Sequence, residues 1–340
     1  MKPTKSNHIV LTLALLTCLS TLNSQLSTAF AQGSLTPPGA PAPTMKTLDQ
    51  VYARLDSRTA ITNANSAYLI SAPGSYYLTT NLTVSSGNGI NINANGVTLD
   101  LNGFTISSTL TPASYAGISL NGYLNDINIV NGHIRSGVTN NGSGVYSGSG
   151  FATGIGWTSC SPTNVMVSKV SVSGVLNYGI YLGYGNAAVV EACTVITAGN
   201  FGILASTIKD SVVADCGGNA ISGDQVVDCR GIGAGNGVIA SAAAQNCYGQ
   251  SGGSGSYYGV YVSGTAQNCY GTNSSSGAGL SATTAQNCYG ASASGTGLYS
   301  TVAIGCYGYS SSGTGLWATI ANSCIIGHGT TNITYKYNMP

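Results

Sequence analysis

Ala244-Gln245-Asn246-Cys247-Tyr248-Gly249 returns almost unchanged as Ala266-Gln267-Asn268-Cys269-Tyr270-Gly271 and again as Ala285-Gln286-Asn287-Cys288-Tyr289-Gly290. Weaker copies centre on Cys193, Cys216, Cys229, Cys306 and Cys324, so successive cysteines stand 13 to 23 residues apart. A second landmark runs out of phase with the first: Gly117-Ile118, Gly154-Ile155, Gly179-Ile180, Gly202-Ile203, Ala220-Ile221, Gly237-Val238, Gly259-Val260, Gly279-Leu280, Gly297-Leu298 and Gly315-Leu316. Two short β-like segments per period of this length fit one coil of a parallel β-solenoid, where no coil buries its inner face without a neighbour. Ankyrin and tetratricopeptide repeats need about 33 to 34 residues and helix formers. Leucine-rich repeats need a Leu pattern that this chain lacks.

The phase assigns faces. Three residues before each cysteine stands Val190, Val213, Val226, Ala244, Ala266, Ala285, Ala303 or Ala321, always small and apolar. These residues and the cysteines are expected to point inward. Asn246, Asn268 and Asn287, with Asp215 and Asp228 in earlier coils, occupy the turn between them. Asn and Asp tolerate the left-handed backbone that a sharp turn requires. Asn102 and Asn131, each followed by Gly, play the same part nearer the N-terminus.

Working outward, Lys2 and Lys5 precede an apolar run from Ile9 to Leu19 and then Ala29-Phe30-Ala31. A basic start, a short hydrophobic stretch and an A-x-A site predict a secretory signal peptide over 1–31. Leu15-Leu16-Thr17-Cys18 leaves a lipoprotein alternative, though Thr is a poor neighbour for a lipidated Cys. Residues 32–44 carry Pro37, Pro38, Pro41 and Pro43 and read as an extended linker. Thr47-Leu48-Asp49-Gln50 fits a capping box, and Leu48, Val51, Tyr52 and Leu55 follow at helical spacing. Residues 45–88 are therefore expected to form a cap helix and lead-in strands, and 89–340 the solenoid. No later run approaches the ~20 apolar residues that a spanning helix needs.

Composition narrows the function. The 340 residues include 10 Lys+Arg and 9 Asp+Glu, only 6% charged, with 48 Gly and 43% apolar residues. Without a basic excess there is no footprint for sequence-independent nucleic-acid binding. So few charges also leave little material for acid–base chemistry.

Gly89-Ile90-Asn91-Ile92 and Gly96-Val97-Thr98-Leu99-Asp100-Leu101-Asn102-Gly103-Phe104-Thr105-Ile106 resemble the opening coils of bacterial right-handed parallel β-helix repeat proteins. Pro73-Gly74-Ser75-Tyr76-Tyr77-Leu78 and Ile129-Val130-Asn131-Gly132-His133-Ile134 extend the resemblance, which covers residues 45 to 340. The family is similar in architecture to pectate lyases and polygalacturonases, which implies three parallel sheets per coil and stacked Asn at one turn. The expected fold is thus all-β: a right-handed parallel β-helix of three sheets and about ten coils, with a short N-terminal capping helix. Activity does not follow, because one fold hosts many functions.

Candidate chemistry is sparse. Asp210, Asp215, Asp224 and Asp228 fall close together, with Glu191 one coil earlier and Arg230 beside them. Asp215 and Asp228, read as one turn position in consecutive coils, offer a calcium alternative; otherwise Asp replaces Asn there and no cofactor is expected. Asp210, Asp224 and Arg230 are the candidates for a polysaccharide lyase or glycoside hydrolase acting on pectin-like polymers. The polygalacturonase pattern itself is incomplete: Gly327-His328-Gly329 matches one element, but Gly223-Asp224 is followed by Gln225. His133 and His328 read as surface or cap residues. The cysteine column reads as an unbonded interior stack, with adjacent disulfides or a metal site as alternatives.

Aromatic residues are the more suggestive feature: 21 Tyr against 4 Phe. The outward column of the Gly-Ile sheet reads Tyr181, Leu204, Ser222, Ile239, Tyr261, Ser281, Tyr299 and Trp317, flanked by Tyr178, Phe201, Asn219, Asn236, Tyr258, Ala278, Thr296 and Thr314, with no charge. Tyr248, Tyr270, Tyr289 and Tyr307 should stack outward on another sheet, either for binding or simply to reinforce the coils. An insertion from Ile134 to Val165, with Tyr146, Phe151 and Trp157 and with His133 and Arg135 at its base, is a second candidate site. The sequence thus points to a secreted, periplasmic or outer-surface protein, a monomer without catalysis, that binds polysaccharide or envelope glycan through Tyr181, Tyr261, Tyr299 and Trp317. The polysaccharide-cleaving enzyme is the alternative.

Overall fold

A computed structural model describes Thr47, residues 56–62, residue 65, and residues 67–157, 160–253 and 255–339. The expected signal peptide, the Pro-rich linker and the cap helix over 48–55 lie outside the described residues. Contacts divide the chain into two compact units, Met1–Ser57 and Arg58–Pro340. The second unit is an all-β parallel solenoid of about 14 turns.

Each turn contributes to three strand columns. The first sheet holds Tyr68–Ile70, Ile90–Ile92, Ala116–Leu120, Thr153–Trp157, Tyr178–Tyr181 and Ile203–Leu204, continued by the leading halves of Ile221–Val227, Val238–Gln245, Val260–Gln267, Leu280–Gln286 and Leu298–Ile304. The trailing halves of those long strands continue a second sheet that begins with Thr59–Ile61, Gly74–Leu78 and Val97–Asp100. Arg230–Gly233, Tyr248–Ser251, Tyr270–Asn273 and Tyr289–Ser292 belong to the third.

The structure corrects the count of ten coils. Parallel pairing already begins where Thr59–Ile61 meets Tyr76–Leu78, and a last turn pairs Asn332 with Trp317. The ten landmarks run only from Gly117 to Gly315 and so leave these end turns out, although the landmark Gly itself answers a packing demand. A Cβ on Gly179, for instance, would press on the Val195 side chain and the Gly202 carbonyl of the next coil.

The cysteine column also needs one correction. Cys216 pairs with Ala198 and Gly233 in the third sheet, whereas the turn column runs Cys193, Ser211, Cys229. The Ser211 hydroxyl accepts a hydrogen bond from the Cys193 amide (3.2 Å), and Val212 pairs with Arg230 one residue beyond each member. The irregular spacings around Cys216 thereby become steps of 18 residues. Asp215 leaves the turn column with its cysteine, and Asp210 takes its place there. Left-handed backbone then recurs along that column at Asn131, Lys169, Ala192, Asp210, Asp228, Asn246, Asn268, Asn287, Gly305, Ser323 and Asn338, with φ between 47° and 62°. The side-chain amides join the turns: Asn246 Nδ2 donates to Asp228 Oδ1 (2.9 Å) and Asn268 Nδ2 to Asn246 Oδ1 (3.1 Å).

The core changes character along the axis. Inward residues of the third sheet run Ile106, Ile134, Val172, Val195, Val213, and then Gly231, Gly249, Gly271, Gly290, Gly308. Those of the second sheet run Ile129, Val167, Val190, Ile208, Val226, and then Ala244, Ala266, Ala285, Ala303, Ala321. In the later turns the third sheet lies directly on the first: a Cβ on Gly271 would overlap the Gly279 carbonyl, and one on Gly290 the Gly297 carbonyl. Serine hydroxyls close the adjoining corner, with Ser292 Oγ donating to Gly277 O and Ser310 Oγ to Gly295 O, both at 2.7 Å. These contacts explain how a buried column can contain Ser292 and Ser310 without leaving their hydroxyls unpaired.

Cys193, Cys216, Cys229, Cys247, Cys269, Cys288, Cys306 and Cys324 are all buried free thiols, and Cys160 is half-buried. Burial pushes Cys229 and Cys216 up to about 12, so neither is a thiolate near neutral pH.

Two outcomes are expected. Gly271→Val should cost about 3 kcal/mol or more, or abolish folding, because neither facing backbone can retreat from the added carbons; denaturant unfolding beside Tyr270→Ala, which removes only a ring stack worth about 1 kcal/mol, measures the difference. A maleimide probe on the folded chain should label Cys160 and spare the eight buried thiols until denaturant is added, as read by mass spectrometry of the peptides.

Candidate functional site

The outward column of the first sheet has the predicted register. Tyr181, Leu204, Ser222, Ile239, Tyr261, Ser281, Tyr299 and Trp317 follow one another from coil to coil. Trp317 stacks on one face of Tyr299, with ring centres 4.2 Å apart and planes 12° from parallel. Tyr261 leans on Tyr258 at 5.0 Å. Between these aromatic pairs stands Ser281, buried at the floor of a cavity of about 590 Å³. Tyr258, Tyr261 and Tyr299 form its walls, and Ser263, Thr283 and Thr301 bring hydroxyls to one rim. No charged residue among the described residues lines it.

Tyr181, the fourth expected contact, does not join this cavity. It belongs to a separate cluster, 4.6 Å from Tyr178 and 5.9 Å from Trp157 by ring centres. Between the two aromatic groups, Leu204 and Ser222 are buried and Tyr184 stands exposed. The same loop is tied down by Asp224, which accepts hydrogen bonds from Gly185 N (3.0 Å) and Ser241 Oγ (2.7 Å).

The second set of aromatics behaves differently. Tyr248, Tyr270, Tyr289 and Tyr307 stack face to face, with ring centres 5.4, 4.3 and 5.1 Å apart and planes within 11° of parallel. Arg230 closes one end, its guanidinium 5.3 Å from the Tyr248 ring. Each interior ring spends both faces on its neighbours and offers only an edge and a hydroxyl outward. Burial and the adjoining phenol of Tyr270 push Tyr289 up to about 12, so its hydroxyl stays protonated and available as a donor. This ladder reinforces the coils; the rings over Ser281 have faces to spare.

The acidic candidates are dispersed. Asp210 and Asp228 are adjacent members of the left-handed turn column between the second and third sheets. Asp224 sits where the first sheet turns into the second, and Arg230 lies on the third. Asp215 and Asp228, expected to stack as a calcium pair, lie in different columns. Among the described residues no three His, Cys, Asp or Glu side chains converge into a metal-sized cluster.

Asp215 instead fastens the insertion. The strands Thr139–Asn140 and Tyr146–Ser147 pair as an antiparallel hairpin, the exception to the parallel pattern among the described residues. Asn140 Nδ2 (2.7 Å) and Tyr146 Oη (3.0 Å) donate to Asp215 Oδ1, and Thr197 Oγ1 (2.7 Å) donates to Oδ2. The Tyr146 ring rests where a Cβ on Gly217 would stand. These partners are 69 and 75 residues apart in the chain, so local sequence gave no signal of them. Burial alone would raise the Asp215 carboxyl, but the three donated hydrogen bonds outweigh it and hold it below its ordinary value. Burial, followed by the Asp215 carboxylate, pushes the Tyr146 phenol well above its usual range.

At the base of the insertion, His133 borders a smaller cavity of about 260 Å³ with Asn131, Lys169, Ser171 and Thr194, and its Nδ1 is buried without a partner. Arg135 is exposed two residues on. His328 lies in the last turn, its Nδ1 2.7 Å from the Ser310 carbonyl.

The chain matches no family model, no curated protein and no solved structure.

The Asp215 clasp has a definite pH dependence. Its folded pKa lies below the unfolded value, so its stabilisation is complete above about pH 4 and declines as pH falls through the folded pKa. Acidification below pH 4 should release the 139–147 hairpin, seen as faster amide exchange there. Asp215→Asn should loosen the hairpin at neutral pH and remove most of that acid dependence.

Proposed function

We propose that this is an exported, non-catalytic β-helix protein of the cell surface or extracellular space that binds glycan through the aromatic cavity on its first sheet. The observation that carries the reading is the cavity over Ser281, walled by Tyr258, Tyr261 and Tyr299 and rimmed by hydroxyls, with no charged residue among its lining groups. Aromatic faces suit the C–H faces of sugar rings, and hydroxyls at the rim match sugar hydroxyls. Trp317 supports Tyr299 from behind, and Tyr261, Tyr299 and Trp317 are the binding residues in this reading. Export rests on the basic, apolar and A-x-A pattern of residues 1–31. Kinship with bacterial right-handed parallel β-helix repeat proteins rests on the opening coils.

The polysaccharide-cleaving alternative draws less support. Glycoside hydrolysis requires two carboxyl groups flanking one bond, and Asp210 and Asp224 occupy different corners of the coil. A lyase acting on pectin-like polymers would bind a polyanion, and the cavity has no cation to receive it.

On an array of polysaccharides, the chain should retain neutral glycans, and Tyr299→Ala and Trp317→Ala should each weaken retention about tenfold, the loss of one well-packed aromatic contact. Release of unsaturated or reducing ends from any polymer on the array, abolished by Asp224→Ala, would replace this reading with the enzyme.

A further inference from the structure

Resting on that reading, we infer that the gap at Ser281 is a two-faced clamp for one neutral pyranose ring whose ring substituents are all equatorial. The register places Ser281 between Tyr261 on one side and Tyr299 on the other. The two tyrosines are therefore two coil steps apart, about 9.6 Å at a strand spacing of about 4.8 Å. A ring held between two aromatic faces at carbon contacts of about 3.5–4.0 Å needs roughly 7–8 Å, leaving room for the pucker of a chair.

Trp317 fixes the orientation. Because it stacks on Tyr299 within 12° of parallel, the Tyr299 ring normal runs close to the solenoid axis. Tyr299 also lines the cavity over Ser281, and the residue is 42% exposed. A sugar filling the gap takes the place that an aromatic side chain occupies in the Tyr248–Tyr307 ladder, where rings repeat at every coil. Its ring plane lies across the sheet, and its edge hydroxyls reach the Ser263, Thr283 and Thr301 rim.

Contact on both faces sets the specificity. A pyranose with only equatorial substituents presents axial C–H bonds above and below, and both meet the negative faces of aromatic rings. An axial hydroxyl would be driven against a ring face and lose its water without gaining a partner. A carboxylate would enter a cavity without a cation. Gluco- and xylo-configured units fit; manno-configured units and uronates do not.

The test uses the full chain, with Trp317 fluorescence and calorimetry as readouts and cellotetraose, β-1,4-mannotetraose and tetragalacturonate as probes. Cellotetraose should bind about tenfold or more tightly than either of the others. Ser281→Phe, which fills the gap with a ring, should abolish that binding while leaving the circular dichroism spectrum and thermal midpoint intact. Tyr299→Ala should weaken binding by opening one wall, and serves if Ser281→Phe does not fold. Equal binding of cellotetraose and mannotetraose, or cellotetraose binding that survives Ser281→Phe, would overturn the clamp and leave glycan binding standing. If the unaltered chain binds no neutral glycan on the array and no cellotetraose, the functional reading fails and the clamp falls with it.

Discussion

Backbone contact between the third and first sheets governs the later turns of this solenoid. Gly249, Gly271, Gly290 and Gly308 have no side chain because the carbonyls of Gly259, Gly279, Gly297 and Gly315 occupy that space. Opposite them the second sheet supplies Ala244, Ala266, Ala285 and Ala303, so the interior is thin and closely packed. A thin interior buries little apolar area per turn, about 25 cal/mol per Å². Other contacts must then contribute: ladder hydrogen bonds, the left-handed Asn column and the outward Tyr stack. Alternation along the strand couples these contacts, since the residue before each inward Gly is the outward Tyr.

The same economy shapes the surface. Ser, Thr, Asn and Tyr solvate the outer faces in place of charge, and they leave in-register columns of identical chemistry. The Tyr248–Tyr307 column is unbroken and its faces are consumed by stacking, whereas the first-sheet column breaks at Ser281 and leaves aromatic faces unpaired. The break, not the abundance of tyrosine, creates the cavity.

The few charges are used locally. Asp215 accepts three hydrogen bonds and holds the 139–147 hairpin, Asp224 holds the loop at Gly185, and Asp228 receives the amide of Asn246 in the turn column. Each of these carboxylates has a structural partner of its own, and Asp224 stands at a different corner of the coil from Asp210 and Arg230.

Sequence alone determined the solenoid, its phase and the outward columns, because a coil must pair with its neighbour in register and period-2 alternation then dictates which side chains face in. It misassigned Cys216 because a small buried residue suits the third sheet as well as the turn, and Ser211 does not resemble the cysteine it replaces. The end turns escaped notice because the ten Gly-Ile landmarks start at Gly117 and stop at Gly315. Only the tertiary structure decided that Asp215 meets residues from the insertion and that Ser281 opens a cavity. Those outcomes depend on which side chains meet across coils and insertions, and the period of the repeat carries no information about that.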